Sequence, residues 1–175
     1  MDLDNFQVEN KSSGQPYWVG PDGGTQDGCL SISHRAGQAF CAVTYQAGAC
    51  LGADLELVEA RDPIFLEDYL GPRERELALA CQGGWRDFFI TLAWSAKEAA
   101  FKALGTGLRM DTRKIQLVAG LECLATGSAI SENWQEMELA GEGLPGPAQA
   151  FWMKRGDFIL SLVVLGDERP ILHEV

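Results

Sequence analysis

Apolar and polar positions change period several times along the chain. Residues 1 to about 28 are polar and carry Gly14, Gly20, Pro21, Gly23, Gly24 and Gly28, so they read as loops with little regular structure. Leu30 and Ile32 then alternate with Ser31 and Ser33, Arg35 to Gln38 offers a turn, and Ala39 to Tyr45 is a second apolar run, together a hairpin. Gln46 to Ala49 breaks the pattern, and Cys50 to Val58 is the next strand. Pro63 opens a helix toward Leu70, Gly71-Pro72 precedes a second one from Arg73, and Gly83-Gly84 ends it. The region of Asp87 opens a long helix that Gly105-Thr106-Gly107 closes. Ile115–Val118 and Glu122–Thr126 read as short strands, and Glu142 to Pro147 as a loop. Ala148–Lys154 and Phe158–Leu165, joined by Arg155-Gly156-Asp157, form a closing hairpin. Helices and antiparallel hairpins mixed in this way predict an α+β fold.

The long helix is not uniform around its axis. At about 100° per residue, Phe89, Leu92, Ala93, Ala96, Ala100 and Ala103 share one face. Glu98 and Lys102, four apart, share the opposite face, with Thr91 and Ser95 near them. An ordinary exposed i,i+4 salt bridge explains such a pair. Trp94 and Phe101 flank it, however, and large aromatics are seldom bare beside solvent-exposed pairs. Something covers that face: the Asp54 strand, a ligand, or both. Lys97 points about 100° away from Glu98 and reads as structural.

Asp54 and Glu56 lie two apart, which on a strand puts both carboxylates on one face and turns Leu55 and Leu57 toward the core. Two such acids repel unless a cation sits between them; the alternative is a solvated edge strand. Magnesium suits the cation, because it takes few protein carboxylates and completes its octahedron with phosphate oxygens and water. His34 at the end of the first hairpin strand, beside Ser33, is either a structural hydrogen-bonder or a phosphate ligand, and Arg35 is a further candidate.

Composition narrows the class. A chain of 175 residues with 46% apolar content suits one domain with a real core. The acidic, polar start is no secretory or transit signal, and no apolar run approaches the roughly 20 residues that span a bilayer. The five cysteines are odd in number and lack a C-x-x-C pair, so they read as reduced thiols of a cytoplasmic protein. A net charge of −11 argues against nucleic acid as a partner. It also opposes self-association and a polyphosphate ligand, unless a local basic patch survives on the acidic body.

Three segments in order, Leu30-Ser31-Ile32-Ser33-His34, Gly52-Ala53-Asp54-Leu55-Glu56 and Trp94 through Lys97-Glu98-Ala99 to Lys102, resemble the S-x-S-H, G-x-D-x-E and W-x-x-K-E-A-x-x-K motifs of the 4'-phosphopantetheinyl transferases. The resemblance implies an antiparallel sheet packed against a long helix. It also implies transfer of 4'-phosphopantetheine from coenzyme A to a serine of an acyl or peptidyl carrier protein, releasing 3',5'-adenosine bisphosphate. By position, Asp54, Glu56 and Glu98 are then the magnesium ligands, and Glu98 is also the base for the incoming serine. Lys102 neutralises phosphate, and His34 with Ser33 binds a coenzyme A phosphate. Residues 51–175 correspond to one complete unit of the family, and 1–50 to a partial first half within one domain. Gln15 stands where the larger, two-half branch commonly has lysine, which puts affinity for coenzyme A in question. The expected assembly is a monomeric domain or small homo-oligomer, standing alone or integrated in a larger synthase such as a polyketide synthase. A non-catalytic carrier-docking module and an unrelated magnesium-dependent nucleotide hydrolase are the competing readings; the intact acids and Lys102 oppose the first, and the lack of a further acidic or Gly-rich phosphate motif opposes the second.

Overall fold

The computed structural model describes residues 7–25, 27–120, 132–146, 148–166 and 170–173. Among the described residues nine strands and three α-helices run in the order β1 (Gln7–Asn10), β2 (Pro16–Val19), β3 (Cys29–Arg35), β4 (Gln38–Thr44), β5 (Cys50–Leu57), α1 (Pro63–Tyr69), α2 (Pro72–Ala80), α3 (Gly84–Leu104), β6 (Ile115–Ala119), β7 (Gln135–Gly141), β8 (Ala148–Arg155) and β9 (Phe158–Leu165). The expected α+β architecture is present. A five-stranded antiparallel sheet of order β5-β9-β8-β7-β6 carries the helices on one face. Among the described residues no helix is long and apolar enough to cross a membrane.

Local chemistry sets the helix ends. Asp62 caps α1 through a 2.8 Å bond from the Ile64 N–H, with Pro63 at the first helical position. Pro72 begins α2, whose Glu74 reaches back to accept from the Gly71 N–H at 2.8 Å. Gly105 ends α3 in the left-handed conformation, φ +66°. Helix α3 begins at Gly84, three residues before the expected Asp87.

The main core lies between α3 and the inner face of the sheet, where Phe89, Leu92, Ala96 and Ala100 meet Ile115, Leu139, Trp152, Ile159 and Val163. The other face of the sheet is also covered. Leu51, Ala53, Phe151, Leu162 and Val164 pack under Phe40 and Ala42 of the β3–β4 hairpin, and Leu55 joins Met153 and Leu160 in a neighbouring cluster. Leu55 therefore faces this second core, while Leu57 is half-buried. Burial of β5 on both faces explains why its sequence reads as a near-continuous apolar run interrupted by acids.

Two expectations change. Residues before Cys29 are not all loop: β1 and β2 pair as an antiparallel hairpin, and Tyr17 donates to Glu9 across it at 2.5 Å. Strand β7, unexpected from sequence, fills the sheet between β8 and β6; only Met137 and Leu139 turn inward from its acid-rich run. The expected strand Glu122–Thr126 lies outside the described residues. The hairpin of β3 and β4 forms as expected, through a two-residue turn with positive φ at Ala36 (+47°) and Gly37 (+79°).

One contact fixes the distance between sheet and helix. A Cβ built at Gly52 would stand 1.8 Å from the Ala99 carbonyl oxygen and 2.6 Å from the Ala103 nitrogen, both backbone atoms of α3. The strand thus runs against the helix with no side chain between them. Gly52→Ala is expected to destabilise the protein by about 3 kcal/mol, because two regular backbones have to move apart. Urea unfolding at constant m-value measures it, and a change below about 1 kcal/mol contradicts the close approach.

Candidate functional site

The approach at Gly52 brings the next residues on the same face of β5 against α3. From Phe88 to Ala103 every residue of α3 is buried except Trp94, Glu98 and Lys102, spaced by four. This narrow stripe lies along β5. The face that the flanking aromatics predicted to be covered is covered by protein, and Thr91 and Ser95 on it are fully buried.

Asp54 is 4% exposed, an unusual depth for a carboxylate. Its Oδ1 accepts from Ser33 Oγ at 2.9 Å and from Lys102 Nζ at 2.8 Å; Lys102 also donates to the Ala53 carbonyl at 2.9 Å. Ser31 Oγ accepts from the Ala53 N–H at 2.8 Å, so β3 meets the free edge of β5 through Ser31 and the Asp54 carboxylate through Ser33. Lys102 is thus bonded to the strand, and this replaces the Glu98–Lys102 bridge expected from helical spacing. A contact across elements in a buried setting outweighs an i,i+4 pair worth a few tenths of a kcal/mol.

Two oxygens stand out. Asp54 Oδ2 and Glu98 Oε1 are buried and accept no hydrogen bond. Buried carboxylate oxygens ordinarily have partners, so each leaves a valence for something the polypeptide does not supply. Burial, reinforced by the nearby Asp54 and Glu56 charges and opposed by Lys102, pushes the Glu98 carboxyl up to about 7.

Glu56 is placed differently. Its Oε1 accepts from Trp94 Nε1 at 3.2 Å and its Oε2 from Arg61 Nη2 at 3.2 Å. Arg35 Nε lies 3.7 Å from that Oε2, and both arginines also reach Glu59. The acidic body therefore carries a local basic group of Lys102, Arg35 and Arg61. Arg61 was not singled out from sequence, its only signal being its place soon after Asp-x-Glu, and Ser31 appeared there as the first serine of the S-x-S-H segment without a role of its own. His34 is exposed at the end of β3, and its neighbour Ser33 is the residue that reaches the acids. Among the described residues, no group of three His, Cys, Asp or Glu side chains converges closely enough to hold a metal ion as the side chains stand.

Behind the site, Lys97 and Glu74 are both fully buried and pair at 2.5 Å. Lys97 also donates to the Tyr69 carbonyl at 2.9 Å, and Glu74 Oε1 accepts from the Leu117 N–H at 2.9 Å. Lys97 is structural, as expected. The pair joins the α1–α2 corner, α3 and β6, and Tyr69 in turn packs its ring on Trp94 at 4.7 Å.

A family model of the 4'-phosphopantetheinyl transferase superfamily matches residues 50–144. No curated protein matches the chain in sequence. Among solved structures, a holo-[acyl-carrier-protein] synthase of Thermotoga maritima is 28% identical over 68% of this chain, with a TM-score of 0.50. The match spans 64% of the Thermotoga protein. A holo-(acyl-carrier-protein) synthase of Bacillus anthracis, solved in complex with CoA (3',5'-ADP), is similar in fold at 21% identity and a TM-score of 0.53; the match covers 66% of this chain and 94% of that one.

The raised Glu98 carboxyl has a definite sign in stability. Between the ordinary carboxylate range and about pH 7 the folded protein holds a proton that the unfolded chain releases, so this group makes stability fall as pH rises through that window. Glu98→Gln is expected to flatten the slope and to make the protein more stable than the parent above pH 7. Urea midpoints from pH 5 to 8 measure it; parallel curves for the two proteins contradict the assignment. Lys102→Ala, which leaves Asp54 buried with one donor fewer, is expected to cost about 2 kcal/mol in the same assay.

Proposed function

The chain belongs to the 4'-phosphopantetheinyl transferase superfamily, and on that premise we propose that it moves the 4'-phosphopantetheine group of coenzyme A onto a serine of an acyl or peptidyl carrier protein, releasing 3',5'-adenosine bisphosphate. The observation that carries the reading is the pair of open, buried oxygens, Asp54 Oδ2 and Glu98 Oε1, with the Lys102 ammonium alongside. Those oxygens fit a divalent cation. Asp54 and Glu98, with Glu56 as the third acid of the motif, are the residues that would hold magnesium. When bound, that ion supplies positive charge against the pyrophosphate oxygens.

Each remaining role belongs to a side chain of this protein. Lys102 sits 2.8 Å from Asp54 and meets the charge that grows on the departing bisphosphate. Ser33 and His34 reach a phosphate of coenzyme A from β3. Glu98, ionised above about pH 7, takes the serine proton, directly or through water. The serine oxygen bonds to phosphorus while the bond from that phosphorus to the bridging oxygen breaks, and the electron pair leaves with the adenosine bisphosphate. The protein thus positions groups and stabilises charge, which is most of what phosphoryl transfer asks of it.

The free thiols of Cys29, Cys41, Cys50 and Cys81 support a cytoplasmic setting. We keep 51–175 as one unit of the family and 1–50 as a partial first half within one domain; the family match runs over residues 50–144. We take the working form to be a monomeric domain or small homo-oligomer.

Incubation of an apo carrier protein with coenzyme A, magnesium and this protein is expected to add the mass of one phosphopantetheine to the carrier, read by intact mass spectrometry. Asp54→Ala is expected to abolish the addition, and Lys102→Ala to slow it by about 100-fold or more. An unmodified carrier, across acyl and peptidyl types, contradicts the proposal and favours a docking module. Near-normal transfer by Asp54→Ala contradicts the metal assignment.

A further inference from the structure

Asp54 lies between two strands that each carry a serine beside it. On the β3 side Ser33 donates to Oδ1 at 2.9 Å. On the β9 side its register partner is Ser161, which leaves the sheet on the same face, toward α3. Ser161 is fully buried, and its Oγ has no hydrogen-bond partner among the described residues. The helix brings a second hydroxyl of this kind to the same level. Helix α3 runs antiparallel to β5, with Ala99 and Ala103 against Gly52 and Trp94 against Glu56. Ser95 stands one turn before Ala99, about 6 Å along the axis, and Asp54 stands about 6.6 Å beyond Gly52 along the strand. That puts Ser95 level with Asp54 and Ser161. It too is fully buried, and its Oγ does not bond the carbonyl one turn back, the usual partner of a helical serine, or any other described group.

Four buried oxygens without partners thus belong to one level of the strand–helix contact: Asp54 Oδ2, Glu98 Oε1, Ser95 Oγ and Ser161 Oγ. Ionised carboxylates only accept, whereas the two hydroxyls can donate. A buried hydroxyl left unpaired is destabilising, and alanine would fill nearly the same space without that cost. We propose that Ser95 and Ser161 are positioning residues of the cation seat: with the ion bound, Ser161 donates to Asp54, and Ser95, three residues before Glu98 on the helix, donates to Glu98. A carboxylate oxygen has two lone-pair directions, so the hydroxyl takes one and the cation the other. The bond fixes the rotation of the carboxylate, and a ligand held in place binds the ion more tightly. Thr91 is the natural control. Its Oγ1 is also buried without a partner, but one turn further along α3, level with Glu56, whose oxygens accept from Trp94 and Arg61. The inference rests on the transferase reading and adds two residues to its site.

Manganese serves as the probe, with the free ion counted by electron paramagnetic resonance in the full chain, without and with coenzyme A. Ser95→Ala and Ser161→Ala are each expected to weaken Mn2+ binding about tenfold, and Thr91→Val by less than about twofold. Urea midpoints of the ion-free proteins are read alongside. Both serine variants are expected to match or exceed the parent, because each removes a buried hydroxyl that the free protein leaves unpaired. A merely structural role gives the reverse pattern, a lower midpoint with Mn2+ affinity unchanged. Mn2+ affinity within about twofold of the parent in Ser95→Ala or in Ser161→Ala overturns the role of that serine. An equal loss in Thr91→Val shows a general disturbance of the helix and overturns the inference alone. No Mn2+ binding by the parent protein under either condition overturns the transferase reading and this inference together.

Discussion

The close approach of β5 to α3 at Gly52 is the constraint on which the rest depends. Backbone meets backbone there, and that sets the height at which every later residue of the strand faces the helix. Two residues on, Asp54 meets Lys102; two more, and Glu56 meets Trp94. A larger residue at 52 would lift the strand and separate acids from lysine without touching either. The serines of β3 complete the alignment, Ser31 bonding the free edge of the same strand and Ser33 the Asp54 carboxylate.

Charge is balanced locally in a chain that is acidic overall. Asp54, Glu56, Glu59 and Glu98 face Lys102, Arg35 and Arg61, and one of the four acids, Glu98, is pushed up to about 7. The formal charge of −11 therefore says little about the field at this site. Glu74 and Lys97 are a different kind of pair. Fully buried and bonded to three backbone groups, they add rigidity to the corner that carries Tyr69, and Tyr69 supports Trp94.

Much of this was legible before any coordinates. The β3–β4 and β8–β9 hairpins, α1, α2 and α3 follow from turn residues, prolines and apolar runs. Asp54, Glu56, Glu98 and Lys102 follow from two short motifs, and the fold brings all four together. What escaped had physical causes. Strand β1 is mostly polar and wholly exposed, and β2 is only four residues long and set among glycines, so no apolar period marks them. Strand β7 turns only two apolar residues inward amid two glutamates. The true partner of Lys102 was hidden because helical spacing sees only neighbours on the same helix. Arg61 was missed because a loop arginine acquires meaning only when the strand before it has folded.

The central claim is that Asp54 on β5 and Glu98 on α3 form the seat of a cation that works on a pyrophosphate. Anomalous diffraction from crystals grown with coenzyme A and Mn2+ tests it most directly. The account predicts one anomalous peak between the carboxylates of Asp54 and Glu98, with the pyrophosphate against it and Lys102 turned toward phosphate oxygen. A peak elsewhere, or bound coenzyme A with no ion between those two acids, would contradict it.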